Sequence, residues 1–328
     1  IPQSLDLACE QYPLPQWMNG MSSYSMWYLI IHHDWYMQNG DLEFLRRHKE
    51  YITGLIDLID SKIGKDGKET LSNFRFLDWP STPNKEGVEA GYRALLVWAL
   101  KDAAKLSEIL QAPESAQKCR KAVERLNQNV MPHNNLKQAA ALMAIAGIME
   151  PEKACSEVVA VDGAHRFSTF YGLYMLDALG MAGRYDEALN IIGTYWGGML
   201  DMGATSYWED FNIDWMENST RIDEFPVEGK HDIHGSFGAY CYPSYRHSLC
   251  HGWASGVTAW LTENVLGIKI VDPGCKTLKI EPHLGLLKWV EGTFPTPYGV
   301  VRVKHTKKED GTVDTKVVAP EEIKIIKQ

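Results

Sequence analysis

The sequence predicts a mainly α-helical array followed by a small antiparallel β region, and three observations carry that expectation. Apolar residues recur near the 3.6-residue helical period through most of the first 268 positions. The helical stretches are joined in pairs by short links, which suits a helical array and not a βαβ sheet. From Lys269 onward the pattern switches to short alternating segments separated by Gly, Pro and Asp turns.

After a Pro-rich entry segment, Tyr24 to Gln38 is dense in aromatic and aliphatic residues and closes at Asn39-Gly40, a helix stop. Asp41 is placed to cap the next helix, in which Phe44, Leu45, Tyr51, Ile52, Leu55, Ile56 and Ile59 keep the helical period up to the turn Gly64-Lys65-Asp66-Gly67. A loop from Ser72 to Glu86, with Pro80 and Pro83, leads to a third helix carrying Val88, Tyr92, Leu95, Leu96 and Ala99. Further helices are expected near 115–130, 135–149, 151–160, 168–182 and 184–198, then an irregular stretch to 245 and a last helix ending near Val265. The total is about nine. Leu278-Lys279-Ile280, Lys288-Trp289-Val290, Val300-Val301-Arg302-Val303 and Lys316-Val317-Val318 read as antiparallel strands. The chain therefore divides into residues 1–268 and 269–328, the second part being thin for an independent sandwich.

At 328 residues, 45% hydrophobic and 23% charged, the chain has ordinary globular composition. A formal charge of -9 argues against a nucleic-acid partner, which needs clustered Lys and Arg to displace counterions. No apolar run reaches the ~18 residues of a membrane-spanning helix, so no membrane partner is expected. The chain opens at Ile1 without a signal peptide and reads as a piece of something larger, so the residues do not give the compartment. Eleven Trp and 15 Tyr suit a ligand with apolar C–H faces, such as a sugar, although most aromatics fill cores. The six scattered cysteines form no CxxC pair and read as buried free thiols.

Three segments concentrate chemistry. The stretch Gly203-Ala204-Thr205-Ser206-Tyr207-Trp208-Glu209-Asp210, followed by Asp214, Trp215 and Glu217, sets carboxylates beside indoles in a long irregular region. Such a pairing suits a glycosidase, in which an aromatic wall holds the sugar and a carboxylate handles a proton or water. Acidic loops are, however, more often merely solvated. Asp78-Trp79-Pro80 repeats the pattern, with a helix cap and a packed indole as the plainer explanation. Arg246-His247-Ser248-Leu249-Cys250-His251-Gly252-Trp253 opens the final helix. His247 and His251 are four apart and His231 and His234 three apart, but without an HExxH or CxxC pattern neither pair argues for a metal, and none is expected. Nucleophile elbows, phosphate loops and dinucleotide fingerprints are absent, so no cofactor is implied.

In order along the chain, these segments resemble the bacterial α-L-rhamnosidases of glycoside hydrolase family 78, within the six-hairpin glycosidases. The resemblance starts at Tyr24-Ser25-Met26-Trp27-Tyr28 and Gln38-Asn39-Gly40-Asp41, then takes in Phe76-Leu77-Asp78-Trp79, Gly203 to Glu209 and Ser248 to Trp253. It ends with Pro273-Gly274-Cys275, Ile280-Glu281-Pro282, Leu284-Gly285 and Pro295-Thr296-Pro297-Tyr298-Gly299.

The resemblance implies an (α/α)6 toroid followed by a β-sandwich-like region. It also implies removal of terminal α-L-rhamnose from plant glycans or glycosides with inversion. Glu209 matches the family's general base and His251 its pocket histidine. Asp78 with Trp79 matches the sugar-binding loop, and Trp27 and Trp208 the aromatic wall. The family's acidic motif carrying the general acid is not found, and the stretch between Glu209 and His251 is longer than in many relatives. With fewer helices than the twelve of six hairpins, this points to a toroid incomplete at its N-terminus and inactive by itself. Exposed helix faces there would draw copies of the chain into a homo-oligomer. The resemblance favours a periplasmic or secreted protein. Two rival readings remain: another six-hairpin glycosidase, of α-L-fucosidase or glucosidase type, and a carbohydrate-binding relative without hydrolysis.

Overall fold

The computed structural model describes residues 2–71 and 74–327. Ser72 and Asn73, which open the loop expected up to Glu86, lie outside the described residues, as do Ile1 and Gln328, the outer limits of the two expected units.

Helices that are apolar nearly all round alternate along the chain with helices that are apolar on one face, which sorts them into an inner and an outer layer. The inner layer comprises α2 (Ser22–Asn39), α5 (Lys85–Ile109), α7 (Lys137–Ile145), α9 (Gly172–Met181) and α11 (Gly256–Trp260), with α11 flanked by a 3-10 turn and a π-helical turn. α2 packs on α5, α5 on α7, α7 on α9 and α9 on α11. Outside them lie α1 (Pro2–Gln11), the pair α3 (Leu42–Arg47) and α4 (Lys49–Ser61), α6 (Pro113–Leu126), α8 (Pro151–Ala154) with its π-helical turn, and α10 (Tyr185–Asp201). α6 illustrates the outer type, burying only Ser115, Ala116, Cys119, Ala122 and Leu126. Among the described residues five inner helices form an arc, the architecture of a six-hairpin toroid.

Local chemistry fixes the ends. Gly40 adopts the left-handed conformation (φ 69°) and its N–H donates to the Tyr36 carbonyl, ending α2. The Asp41 carboxylate accepts from Phe44 N at 2.9 Å and starts α3, as its position in the sequence suggests. Asn84 caps α5 by accepting from Gly87 N at 3.0 Å. The Pro-rich entry segment, to which the sequence reading assigned no element, begins as helix α1: Pro2 sits in the first turn, where its missing N–H costs nothing, and Leu5 is buried. One expectation is corrected. The helix expected after Asp41 is two helices, broken at His48 (φ -96°, ψ 1°), whose buried ring bonds the Phe44 carbonyl and Asp6.

Strands follow α11. β3 (Ile268–Asp272), β4 (Thr277–Ile280) and β8 (Lys324–Lys327) form one sheet; β5 (Trp289–Thr296), β6 (Gly299–Lys307) and β7 (Val313–Val318) form another. Leu266, Ile268, Leu278 and Ile280 pack with Val301 and Val303 in a separate small core. β5, β6 and β7 are antiparallel, but the β4–β8 pair is parallel, against expectation. The chain crosses from the facing sheet through Pro320 and enters beside Thr277, the start of β4, so it runs the same way. Farther back, two-residue strands β1 (Ser219–Thr220) and β2 (His231–Asp232) pair inside the stretch read as irregular. The strand region docks on the end of α2 through Gln38, which donates to the Pro295 carbonyl at 3.0 Å and accepts from Cys275 Sγ at 3.3 Å.

Candidate active site

The links between helices are unequal on the two ends of the arc. Those leaving the inner helices are short: 40–41, 110–112, 146–150 and 182–184. Those entering the inner helices include 127–136, 160–171 and 202–251, and the segments carrying Asp78 and Glu209 lie on this second face. Side chains on long links held by rigid helices are where a site is expected.

Glu209 sits in an extended segment paired with the chain before α11. Its N–H donates to the Ser248 carbonyl at 2.8 Å, and His251 N–H donates to the Tyr207 carbonyl at 2.8 Å. This pairing turns the Glu209 carboxylate back onto the partner segment, where Oε2 accepts from Ser248 N at 3.0 Å and His251 Nδ1 lies 3.9 Å away. Trp253 Nε1 and the Thr169 hydroxyl both donate to the Glu209 carbonyl, fixing its backbone. Tyr242 and Tyr24 both stand close enough to feel the charge of the carboxylate. A buried carboxylate with an imidazole and a phenol beside it has the parts to take a proton from water.

The other residues singled out in the sequence take varied positions. Asp78 is 1% exposed, and its carboxylate accepts from Ser81 N at 3.0 Å and Gln138 Nε2 at 3.0 Å, which braces the loop against α7. Trp79 is half-buried, edge-on to Phe76 and to Tyr242, and its Nε1 has no partner among the described residues. It thus reaches Glu209 through a single residue, Tyr242. Trp27 belongs to an aromatic cluster with Trp98, Phe170 and Tyr174 that lines a groove of about 460 Å³, bounded also by Trp253 and by residues of α2, α9 and α11. Trp208 is 4% exposed and packs edge-on to Phe211 in the core. His247 and His251 share no helix, since the 3-10 turn begins at Gly252; each meets a different partner.

Asp210 faces away from Glu209 into its own surroundings. Its carboxylate accepts from the Tyr240 hydroxyl and from Phe211 N, and burial, reinforced by the charges of Asp78 and Glu209, pushes its pKa up to about 7. Cys241 Sγ lies 2.7 Å from His247 Nε2; burial and Asp210 push the thiol up to about 12, and burial lowers the imidazole. The thiols are not uniformly buried as expected: Cys119, Cys155 and Cys275 are, Cys9 and Cys241 are intermediate, and Cys250 is exposed. The contributions of Thr169, from the 160–171 link, and of Tyr240 and Tyr242, both from the 202–251 link, escape sequence reasoning because neither link has a periodicity that places its side chains.

Comparisons with known proteins point to one family. The bacterial α-L-rhamnosidase six-hairpin glycosidase domain matches residues 5–150, and the bacterial α-L-rhamnosidase C-terminal domain matches 267–325. An α-L-rhamnosidase of Alteromonas sp. (strain LOR) is 29% identical over 197 residues, covering 56% of this chain and 19% of that protein. The family 78 rhamnosidase of Bacillus sp. GL1 superposes with a TM-score of 0.74 at 21% identity, over 93% of this chain and 33% of that one. The α-L-rhamnosidase of Streptomyces avermitilis complexed with L-rhamnose gives 0.68 at 17% identity, over 92% of this chain and 28% of that one. The chain thus spans a third or less of the length of these relatives, and the structural likenesses concern the fold. The two family models lie in the order of the two architectural parts and together cover more than half of the chain, which therefore belongs to the bacterial α-L-rhamnosidases.

Proposed function

We propose that this chain supplies most of the catalytic domain of an inverting α-L-rhamnosidase, acting on terminal α-L-rhamnosides of plant glycans or glycosides, with Glu209 as the general base. The observation that carries the reading is the Glu209 carboxylate, buried on the long-link face, oriented by Ser248 N and set beside His251. In an inverting displacement the base activates water on one face of the sugar while an acid protonates the leaving oxygen on the other, the two carboxyls standing about 6.5–9.5 Å apart. In this reading the acid comes from a helix pair outside these residues. His251 and Trp79 hold the sugar, while Asp78 acts through the loop it braces.

The test is Glu209→Gln in the enzyme with its toroid complete, assayed on p-nitrophenyl α-L-rhamnoside with the product anomer followed by NMR. Loss of a general base forfeits about 10²–10⁴-fold in kcat. The activated leaving group relieves the acid and does not rescue this variant, whereas azide restores turnover by supplying its own nucleophile. A variant keeping more than about a tenth of the parent kcat removes Glu209 from the role.

A further inference from the structure

The long 202–251 segment brings together three side chains the hydrolytic reading does not use. Asp210, Cys241 and His247 each offer a ligand atom, and these atoms lie within 4.8 Å of one another. Asp210 and His247 are buried and Cys241 is half-buried. No CxxC or His-pair spacing announces this set, because it joins residues far apart in a stretch without regular structure. A thiolate, an imidazole and a carboxylate form the donor set that zinc-class ions take, at about 2.3 Å to sulfur and 2.0–2.2 Å to nitrogen and oxygen, with water as fourth ligand.

The surroundings also suit a metal site. Tyr240 and Phe211 N hold the Asp210 carboxylate, the kind of outer contact that fixes a ligand's orientation, and the His247 ring lies against Gly238. The other candidate group, His33, Asp34 and Asp102, lacks sulfur and includes a carboxylate open to solvent.

We propose that Asp210, Cys241 and His247 form a site for a zinc-class divalent ion whose fourth position is held by water. Binding exchanges the proton shared by Cys241 Sγ and His247 Nε2 for the metal, and these two atoms part from 2.7 Å to roughly 3.5 Å, the spacing of two ligands on a tetrahedral ion. The ion ties the residue after Glu209 to the segment just before Ser248 and His251, the two residues that face the Glu209 carboxylate. It clamps the longest link of the molecule and takes no part in bond cleavage, so it stands apart from the hydrolytic reading.

The chain, stripped of metal by chelation and dialysis, is titrated with Zn2+ against a chromophoric chelator and with Co2+ as a spectroscopic probe. One equivalent binds, Co2+ gives a thiolate-to-metal charge-transfer band, and Zn2+ raises the melting temperature. Cys241→Ser abolishes the band and weakens Zn2+ binding at least about tenfold, the least that loss of even an outer partner costs. Cys250→Ser binds like the parent, since that thiol is exposed and outside the cluster. Metal-free melting curves of parent and Cys241→Ser report folding. If the serine variant is unfolded, His247→Gln carries the same test of affinity. Absence of stoichiometric binding, binding without the thiolate band, or less than about tenfold weakening in the folded variant overturns the proposal.

Discussion

The two faces of the helical arc are built from the same helices and spend their polar groups differently. On the short-link face polar residues end helices or pair: Gly40 and Asp41 stop and start helices, and Asp102, near that end of α5, meets Lys105 Nζ at 2.8 Å. On the long-link face Asp78, Glu209 and Asp210 are all nearly buried, and among the described residues none pairs with Lys or Arg. Burying carboxylates without cations is costly, so the three on the long-link face are candidates for chemistry or ligands. The short-link face maintains the scaffold; the long-link face uses it.

Substitutions on the two faces should therefore change different observables. The largest expected effect is that of Glu209→Gln, a kcat loss of about 10²–10⁴-fold with an unchanged melting temperature; a fall in both would erase the distinction. Next is Gly40→Val on the opposite face. Gly40 has φ 69°, and an added Cβ would lie 2.9 Å from Gly274 Cα, where the strand region docks. The variant loses roughly 2–5 kcal/mol of stability, seen as a melting temperature lower by about 5–15 °C, while kcat per folded molecule is retained. A smaller effect follows from Trp79→Ala, which removes one aromatic contact and raises KM about tenfold, with folding little changed. An unchanged KM with a large fall in melting temperature would make Trp79 a core residue only.

Two subtler measurements sharpen the contrast. Asp210 ionises near 7 in the folded chain against an ordinary 3.8, so between these values the native state holds a proton the unfolded state has released. Its contribution to stability declines as pH rises across that window and levels off above it. In chelating buffer the melting temperature falls over that range, and Asp210→Asn flattens the slope; burial raises Asp177 and Glu263 in the same direction, so part of the slope persists. The sequence reading expects copies of the chain to associate through exposed apolar helix faces, and the aromatic groove between α2, α9 and α11 is the surface on which to test that expectation. Light scattering should show species larger than a monomer, and Leu173→Glu at the groove wall should shift them toward monomer.

Helix identity, the stop at Gly40, the cap at Asp41 and the change to strands after α11 were legible in the sequence because each is a local property: a period, a turn residue, a hydrogen bond over three positions. The break at His48 was not, since it depends on Asp6 from another helix, and the parallel pairing of β8 depends on where the chain re-enters from the facing sheet. The candidate site divides the same way. Glu209, His251, Asp78 and Trp79 stood out as residue types in ordered motifs. That Asp78 would brace a loop through Gln138, that Trp208 would turn into the core, and that Tyr242 would stand between Trp79 and Glu209 were decided by tertiary structure. An irregular segment has no period to fix the direction of its side chains. Only packing against distant elements selects which of them face water, a neighbour or a ligand.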